Sequence, residues 1–224
     1  MLQKQRLFFF LFCTIALIQV GAVLIGHYEA RIFSKPFIIP LLGLTYYQSV
    51  EKKPVFLKDS ILLGLFFSWL GDIFLLADNY FIPGLICFLL AHVFYISFFA
   101  KTNSSKTSFF KLRPVMLIAV LAYLIELMHL LWPGLGDLKI PVLIYGITIS
   151  TMLSAAIWQY QKLDDRTSLF MIMGAGFFVA SDSILAIDKF RNPFASAGVY
   201  IMVTYILAQL FIVLGAIKYR NSSE

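Results

Sequence analysis

Five ionisable side chains interrupt long apolar stretches of this sequence: Asp72, His92, Glu126, His129 and Asp182. A carboxylate at the centre of a bilayer costs on the order of 2.5–3.5 kcal/mol on insertion scales, so such a group faces a cavity or a partner and is a candidate for function. Asp72 lies 12 residues past Ser60, Glu126 12 past Pro114 and Asp182 14 past Ser168, where the surrounding apolar runs begin. At 1.5 Å per helical residue, all three acids stand roughly 18–21 Å along their runs, within one turn of each other. Three acids at one level, in the half away from the cytoplasm, predict a shared polar cavity. Lys35, at the mouth of the second run, is placed to reach toward them. Tyr205 and Gln209 of the last run are placed likewise, with Gln209 deeper. Asp78 and Asp188 fall at or beyond the ends of runs and read as solvated.

The elements that must position these residues are membrane helices. Of the 224 residues 60% are hydrophobic, 17% aromatic and 13% charged, with a mean hydropathy of +0.86. Average soluble domains carry about 25% charged residues, and half that charge cannot coat a globule of this size with a soluble surface. A cytosolic enzyme and a disordered chain are excluded. So is a nucleic-acid partner, because the net charge of +6 comes from short Lys and Arg clusters between apolar runs, the pattern of topology signals facing headgroups. A membrane-crossing helix needs about 20 apolar residues. The runs 7–26, 36–50, 60–77, 80–100, 114–132, 141–159, 168–187 and 194–217 therefore predict an all-α, polytopic bundle of eight spans, one domain over residues 1–224.

Smaller signals refine this expectation. Pro36 and Pro40 sit in the first turns of the second run, where proline is tolerated, and Pro114, Pro141 and Pro193 mark further helix starts. Leu7–Gly26 is too long for a signal-peptide core and lacks an Ala-x-Ala site, so it reads as the first span. With the N-terminus inside, 13 of the 18 Lys and Arg residues are cytoplasmic, which places both termini in the cytosol and leaves only Arg31, Lys35, Lys139, Lys189 and Arg191 outside. The expected compartment is the inner (plasma) membrane of a bacterium. The sequons at Asn103 and Asn221 then face the cytosol and read as chance matches. Cys13 and Cys87 lie in apolar runs and read as small hydrophobes. Gly71-Asp72-Ile73-Phe74-Leu75-Leu76-Ala77-Asp78 parallels Ser181-Asp182-Ser183-Ile184-Leu185-Ala186-Ile187-Asp188, an offset that a four-helix unit duplicated in parallel would produce. Short apolar stretches also resemble each other by chance.

Each polar residue has a plainer structural account. Glu126 and His129, spaced i, i+3, can pair with each other; His92 can hydrogen-bond between helices; Asp72 and Asp182 can be held by Lys35 or a hydroxyl. Tyr28, Trp132, Tyr160 and Tyr219 near run ends read as interface anchors.

Four pieces in order form a recognisable set: Ser68-Trp69-Leu70-Gly71-Asp72; Gly84 through Tyr95 with Ala91-His92; Ser181-Asp182-Ser183-Ile184-Leu185-Ala186; and Thr204-Tyr205-Ile206-Leu207-Ala208-Gln209. With Ser34-Lys35-Pro36 they resemble the lysoplasmalogenase (YhhN-like) family of integral membrane hydrolases, over most of the chain. The resemblance implies cleavage of the vinyl ether of lysoplasmalogens to a fatty aldehyde and glycerophosphoethanolamine or glycerophosphocholine. It also implies that Asp72 and Asp182 are the catalytic pair. Enol ether hydrolysis protonates the β-carbon, passes through an oxocarbenium ion and adds water, work for one carboxylic acid and one carboxylate, as in glycosidases. Lys35, His92, Tyr205 and Gln209 would then hold the glycerophosphate head or the water. No metal or other cofactor is expected, since the runs hold no ligand set such as HExxH, and Gly-x-Ser-x-Gly is absent. The expected partners are a lysophospholipid substrate and the bilayer. A competing class is a proton-coupled transporter of a small or lipid-like solute, which also carries mid-depth carboxylates and repeats; few Gly or Pro residues interrupt the helices near the acids, which weighs against it. A structural scaffold would leave the cost of three buried acids unexplained.

Overall fold

The computed structural model describes residues 3–102, 113–160 and 163–222, the side chains of Asp78 and Arg113 excepted. Lys106, Lys111, Lys162, the Asn103 sequon and Ser223 of the Asn221 sequon lie outside the described residues, as does the solvation expected of Asp78. Among the described residues every regular element is a helix. The α-helices are α1 (Gln3–Leu24), α2 (Tyr28–Ser49), α3 (Ser60–Phe74), α4 (Phe81–Lys101), α5 (Arg113–Leu131), α6 (Lys139–Trp158), α7 (Asp165–Phe190) and α8 (Ala197–Ser222). Six of them (α1 and α4–α8) are long and apolar enough to cross a membrane, so the chain is a multi-pass membrane protein. α2 is long but polar at its start, with Glu29, Arg31 and Lys35, and α3 has only 15 residues. The chain divides into two compact units, Met1–Phe98 with Val213–Glu224, and Phe99–Ile212.

In the first unit the turn after α1 is made by Gly26, whose φ of +71° suits a residue without Cβ. The next residue, His27, caps α2 by accepting from the Ala30 amide through Nδ1 at 3.3 Å. α2 thus begins eight residues before the predicted start at 36, and Pro36 and Pro40 lie inside it rather than in its first turns. Proline in a helix interior removes an amide from the ladder. Pro40 leaves the Pro36 carbonyl without its i+4 donor, and the Trp69 indole Nε1–H of α3 donates to that carbonyl instead, at 2.9 Å. A buried orphan carbonyl would cost about 1–3 kcal/mol. The indole therefore repairs α2 and locks α3 against it.

α3 is anchored at its start by Asp59, the N-cap, which accepts from the amides of Ile61 at 2.9 Å and Leu62 at 3.1 Å. The same buried carboxylate receives Arg220 Nη2 of α8 at 2.6 Å and the Tyr46 hydroxyl of α2 at 3.1 Å. Farther along, α3 and α4 approach closely at glycines. A Cβ on Gly64 would meet the Tyr95 ring at 2.3 Å, and one on Gly71 the Phe88 ring at 2.6 Å.

In the second unit α7 packs against α5, α6 and α8. A Cβ on Gly174 would come within 2.7 Å of the Ile212 amide nitrogen and 3.0 Å of the Ala208 carbonyl, so α7 and α8 touch backbone to backbone there. The Ser181 hydroxyl donates to the Ile201 carbonyl at 3.1 Å, two turns along the same seam. The turn after α5 presses on the end of α7, and Met128, Leu131, Leu135 and Val142 form an apolar core beside it, packed against Ala186 and Phe190. Asp188 belongs to α7 and accepts from the Phe194 amide at 3.0 Å, so it is a partly buried turn-holder rather than a solvated residue beyond the helix.

Candidate active site

In the first unit the site is built on Asp72. α2 and α3 run antiparallel, and their cross-links form a ladder: Tyr46 to Asp59, Pro36 to Trp69, and Lys35 to Asp72. Lys35 Nζ stands 3.5 Å from Asp72 Oδ1, with the carboxylate side chain 3% and the lysine side chain 13% exposed. A pair so withdrawn from solvent repays its desolvation only where the geometry is held, and the Trp69–Pro36 bond one turn away holds it. Lys35 is thus where the sequence placed it, beside Asp72.

His92 of α4 is fully buried. The contacts of Gly64 with Tyr95 and Gly71 with Phe88 set the α3–α4 register, which puts His92 at the level of Ser68, one turn of α3 from Asp72. Ser68 is buried too, and its hydroxyl has no hydrogen-bond partner among the described residues.

In the second unit the site is built on Asp182, in the second half of α7. Its Oδ2 accepts a short hydrogen bond from the Tyr145 hydroxyl of α6. Tyr145 is 8% exposed. Sequence reasoning missed it: Tyr145 stands about one turn inside the 141–159 run, where a tyrosine reads as one more interface anchor. Beside it the Tyr123 hydroxyl of α5 donates to Ser183 Oγ at 2.5 Å, and Ser183 donates on to the Val179 carbonyl at 2.5 Å. Three helices are therefore tied at the level of Asp182. Tyr205 of α8 is buried, its ring edge-on to Phe178 at 5.6 Å, one turn of α7 from Asp182. Gln209 is fully buried at the level of Gly174, about 12 Å along α7 from Asp182 at 1.5 Å per residue.

Glu126 departs from expectation. It and His129 are exposed on α5, and neither makes a hydrogen bond or ion pair among the described residues. The expected Glu126–His129 pair is not formed, and Glu126 does not join Asp182 in a buried cavity. Position along a helix says nothing about which way a helix face points.

The arrangement supplies a buried carboxylate beside an ammonium and a carboxyl beside a phenol, groups suited to proton transfer. No solved structure matches the chain. A human protein named lysoplasmalogenase TMEM86A (Homo sapiens) is 33% identical over 176 residues, covering 73% of this chain and 68% of its own. Lysoplasmalogenase TMEM86B of Homo sapiens is 33% identical over 155 residues, covering 67% and 60%. A lysoplasmalogenase of Mycobacterium bovis is 27% identical over 203 residues, covering 87% and 73%. The family model described as YhhN matches residues 30–216, which include Lys35, Asp72, His92, Tyr145, Asp182, Tyr205 and Gln209, and the chain belongs to the YhhN family.

Proposed function

We propose that this protein is a lysoplasmalogenase, a membrane hydrolase that cleaves the vinyl ether of a lysoplasmalogen to a fatty aldehyde and glycerophosphoethanolamine or glycerophosphocholine. The observation that carries this reading is the similarity, over 73% of the chain, to a relative that bears that name. The polar groups support it chemically. In this mechanism Asp182, which accepts from the Tyr145 hydroxyl, acts as general acid and gives its proton to the β-carbon of the vinyl ether. The resulting oxocarbenium ion is stabilised by Asp72, which stays ionised beside the Lys35 ammonium. Asp72 takes a proton from water as the water adds to the cationic carbon. The hemiacetal then transfers its hydroxyl proton to the ether oxygen, and the carbon–oxygen bond breaks to release aldehyde and alcohol. His92, Tyr205, Gln209 and Lys35 hold the glycerophosphate head or the water.

We further read α2 and α3 as crossing the membrane with the other six helices, α3 spanning about 22 Å at 1.5 Å per residue. In this reading both termini face the cytoplasm of a bacterium. The test is aldehyde release from a lysoplasmalogen by purified protein in detergent micelles, where a carrier has no gradient to use. Asp72→Asn and Asp182→Asn each lower kcat by about 10²–10⁴, the usual contribution of a general acid or base. Full activity in both variants would sink the pair.

A further inference from the structure

A groove of about 690 Å³ runs along the seam between α2 and α3. Its walls include Pro40, Gly43 and Tyr47 from α2, Leu65 and Trp69 from α3, and Phe56 from the turn between the helices. Tyr47 and Phe56 are exposed, so one side is open at the surface of the unit. The volume lies in the range of ligand pockets, about 300–1,000 Å³. The lining is nearly all carbon, which suits hydrocarbon and little else.

Two features argue that the space is kept open. Pro40 and Gly43 are both poor interior helix residues, costing about 3 and 1 kcal/mol relative to alanine. Both lie on the wall of the groove, where one offers no amide and the other no side chain. A Cβ on Gly43 would meet only Leu65 Cδ1, at 3.9 Å, so packing does not demand glycine there. The groove points toward the polar pair: Trp69, on its wall, is one helical turn of α3 from Asp72, and Phe56, also on its wall, lies before the start of α3.

We infer that this groove is the hydrocarbon-chain subsite of a single-chain lipid substrate, with the methyl end toward Phe56 and the reacting end at Asp72. The assignment rests on the hydrolase reading proposed above. A chain lying along α3 presents its polar head to the Lys35 ammonium, and the open side admits it laterally from the bilayer. Gly43 sets how much chain fits.

The experiment has two arms. In the first, Gly43→Leu and the milder Gly43→Ala are compared with the unaltered protein on a long-chain and a short-chain lysoplasmalogen. The ratio of kcat/KM for long over short falls about tenfold in Gly43→Leu, the equivalent of roughly two methylenes no longer buried, and less in Gly43→Ala. An unchanged ratio in both variants overturns the assignment. In the second arm, Asp72→Asn protein is labelled with a lysoplasmalogen carrying a diazirine at its chain terminus, which needs no turnover. Label at Phe56 and Tyr47 that excess dioleoyl phosphatidylcholine does not displace supports the subsite. Label elsewhere, or displacement by that bilayer lipid, overturns it. Absent hydrolysis with label retained at Phe56 overturns the hydrolase reading and leaves the chain subsite standing.

Discussion

Asp72 and Asp182 are the same residue type in similar apolar contexts, and what separates them is the neighbour each meets. Asp72 has the Lys35 ammonium 3.5 Å away, and Asp182 accepts from the Tyr145 phenol hydroxyl. On the proposed mechanism Tyr145 is a positioning residue for Asp182. A buried hydrogen bond to an ionisable group contributes about 1.5–3 kcal/mol. Expressed in the transition state, that is roughly 10–100-fold in rate. Tyr145→Phe is expected to lower kcat by this factor with little change in KM and a thermal midpoint close to that of the unaltered protein. A merely structural tyrosine would lower the midpoint and spare kcat. Asp72, Asp182 and Lys35 were legible in the sequence because charge is rare in these helices, whereas Tyr145 was not: tyrosine is common in membrane helices, and only its partner in space distinguishes it. Glu126 shows the converse error. Its helix is apolar on every side, so no amphipathic contrast reveals which face turns inward.

At the scale of elements, helix existence followed from apolar runs, and helix ends followed from capping. Asp59-Ser60 before an apolar run is a readable helix start, and α3 begins there. The start of α2 was hidden because Glu29, Arg31 and Lys35 dilute the apolar pattern and the two prolines mimic a beginning. The cue that counted was Gly26-His27, a turn and a cap. Asp59 does more than start α3, since it also gathers Tyr46 of α2 and Arg220 of α8. Asp59→Ala removes the cap and strands a partly buried arginine, and it should cost about 2–3 kcal/mol. Asparagine keeps the cap and should recover about 1 kcal/mol of that. Thermal unfolding in detergent should rank the unaltered protein first, Asp59→Asn second and Asp59→Ala last. An alanine variant as stable as the unaltered protein would show that α3 is fixed by packing alone.

At the scale of the molecule, composition was decisive and detail was not. A 13% charged fraction makes a multi-pass membrane protein hard to avoid, and six helices meet the length and hydropathy of a span. Length and hydropathy fall short for the very pair that carries Asp72, because α2 bears charges and α3 is short. Those two helices hold an ion pair, two prolines and a groove, and charge and proline dilute the apolar pattern of α2.

Trp69 carries one more consequence. The sequence has three tryptophans, and Trp132 and Trp158 are each nearly half exposed on the other unit. With those two replaced by phenylalanine, the remaining indole is a fluorophore on the wall of the groove, one turn from Asp72. Its emission should shift when a hydrocarbon chain displaces whatever fills the groove at rest, even in a variant that no longer hydrolyses anything. The ring that mends a broken helix thus also gives the protein an optical gauge of substrate loading, separate from catalysis.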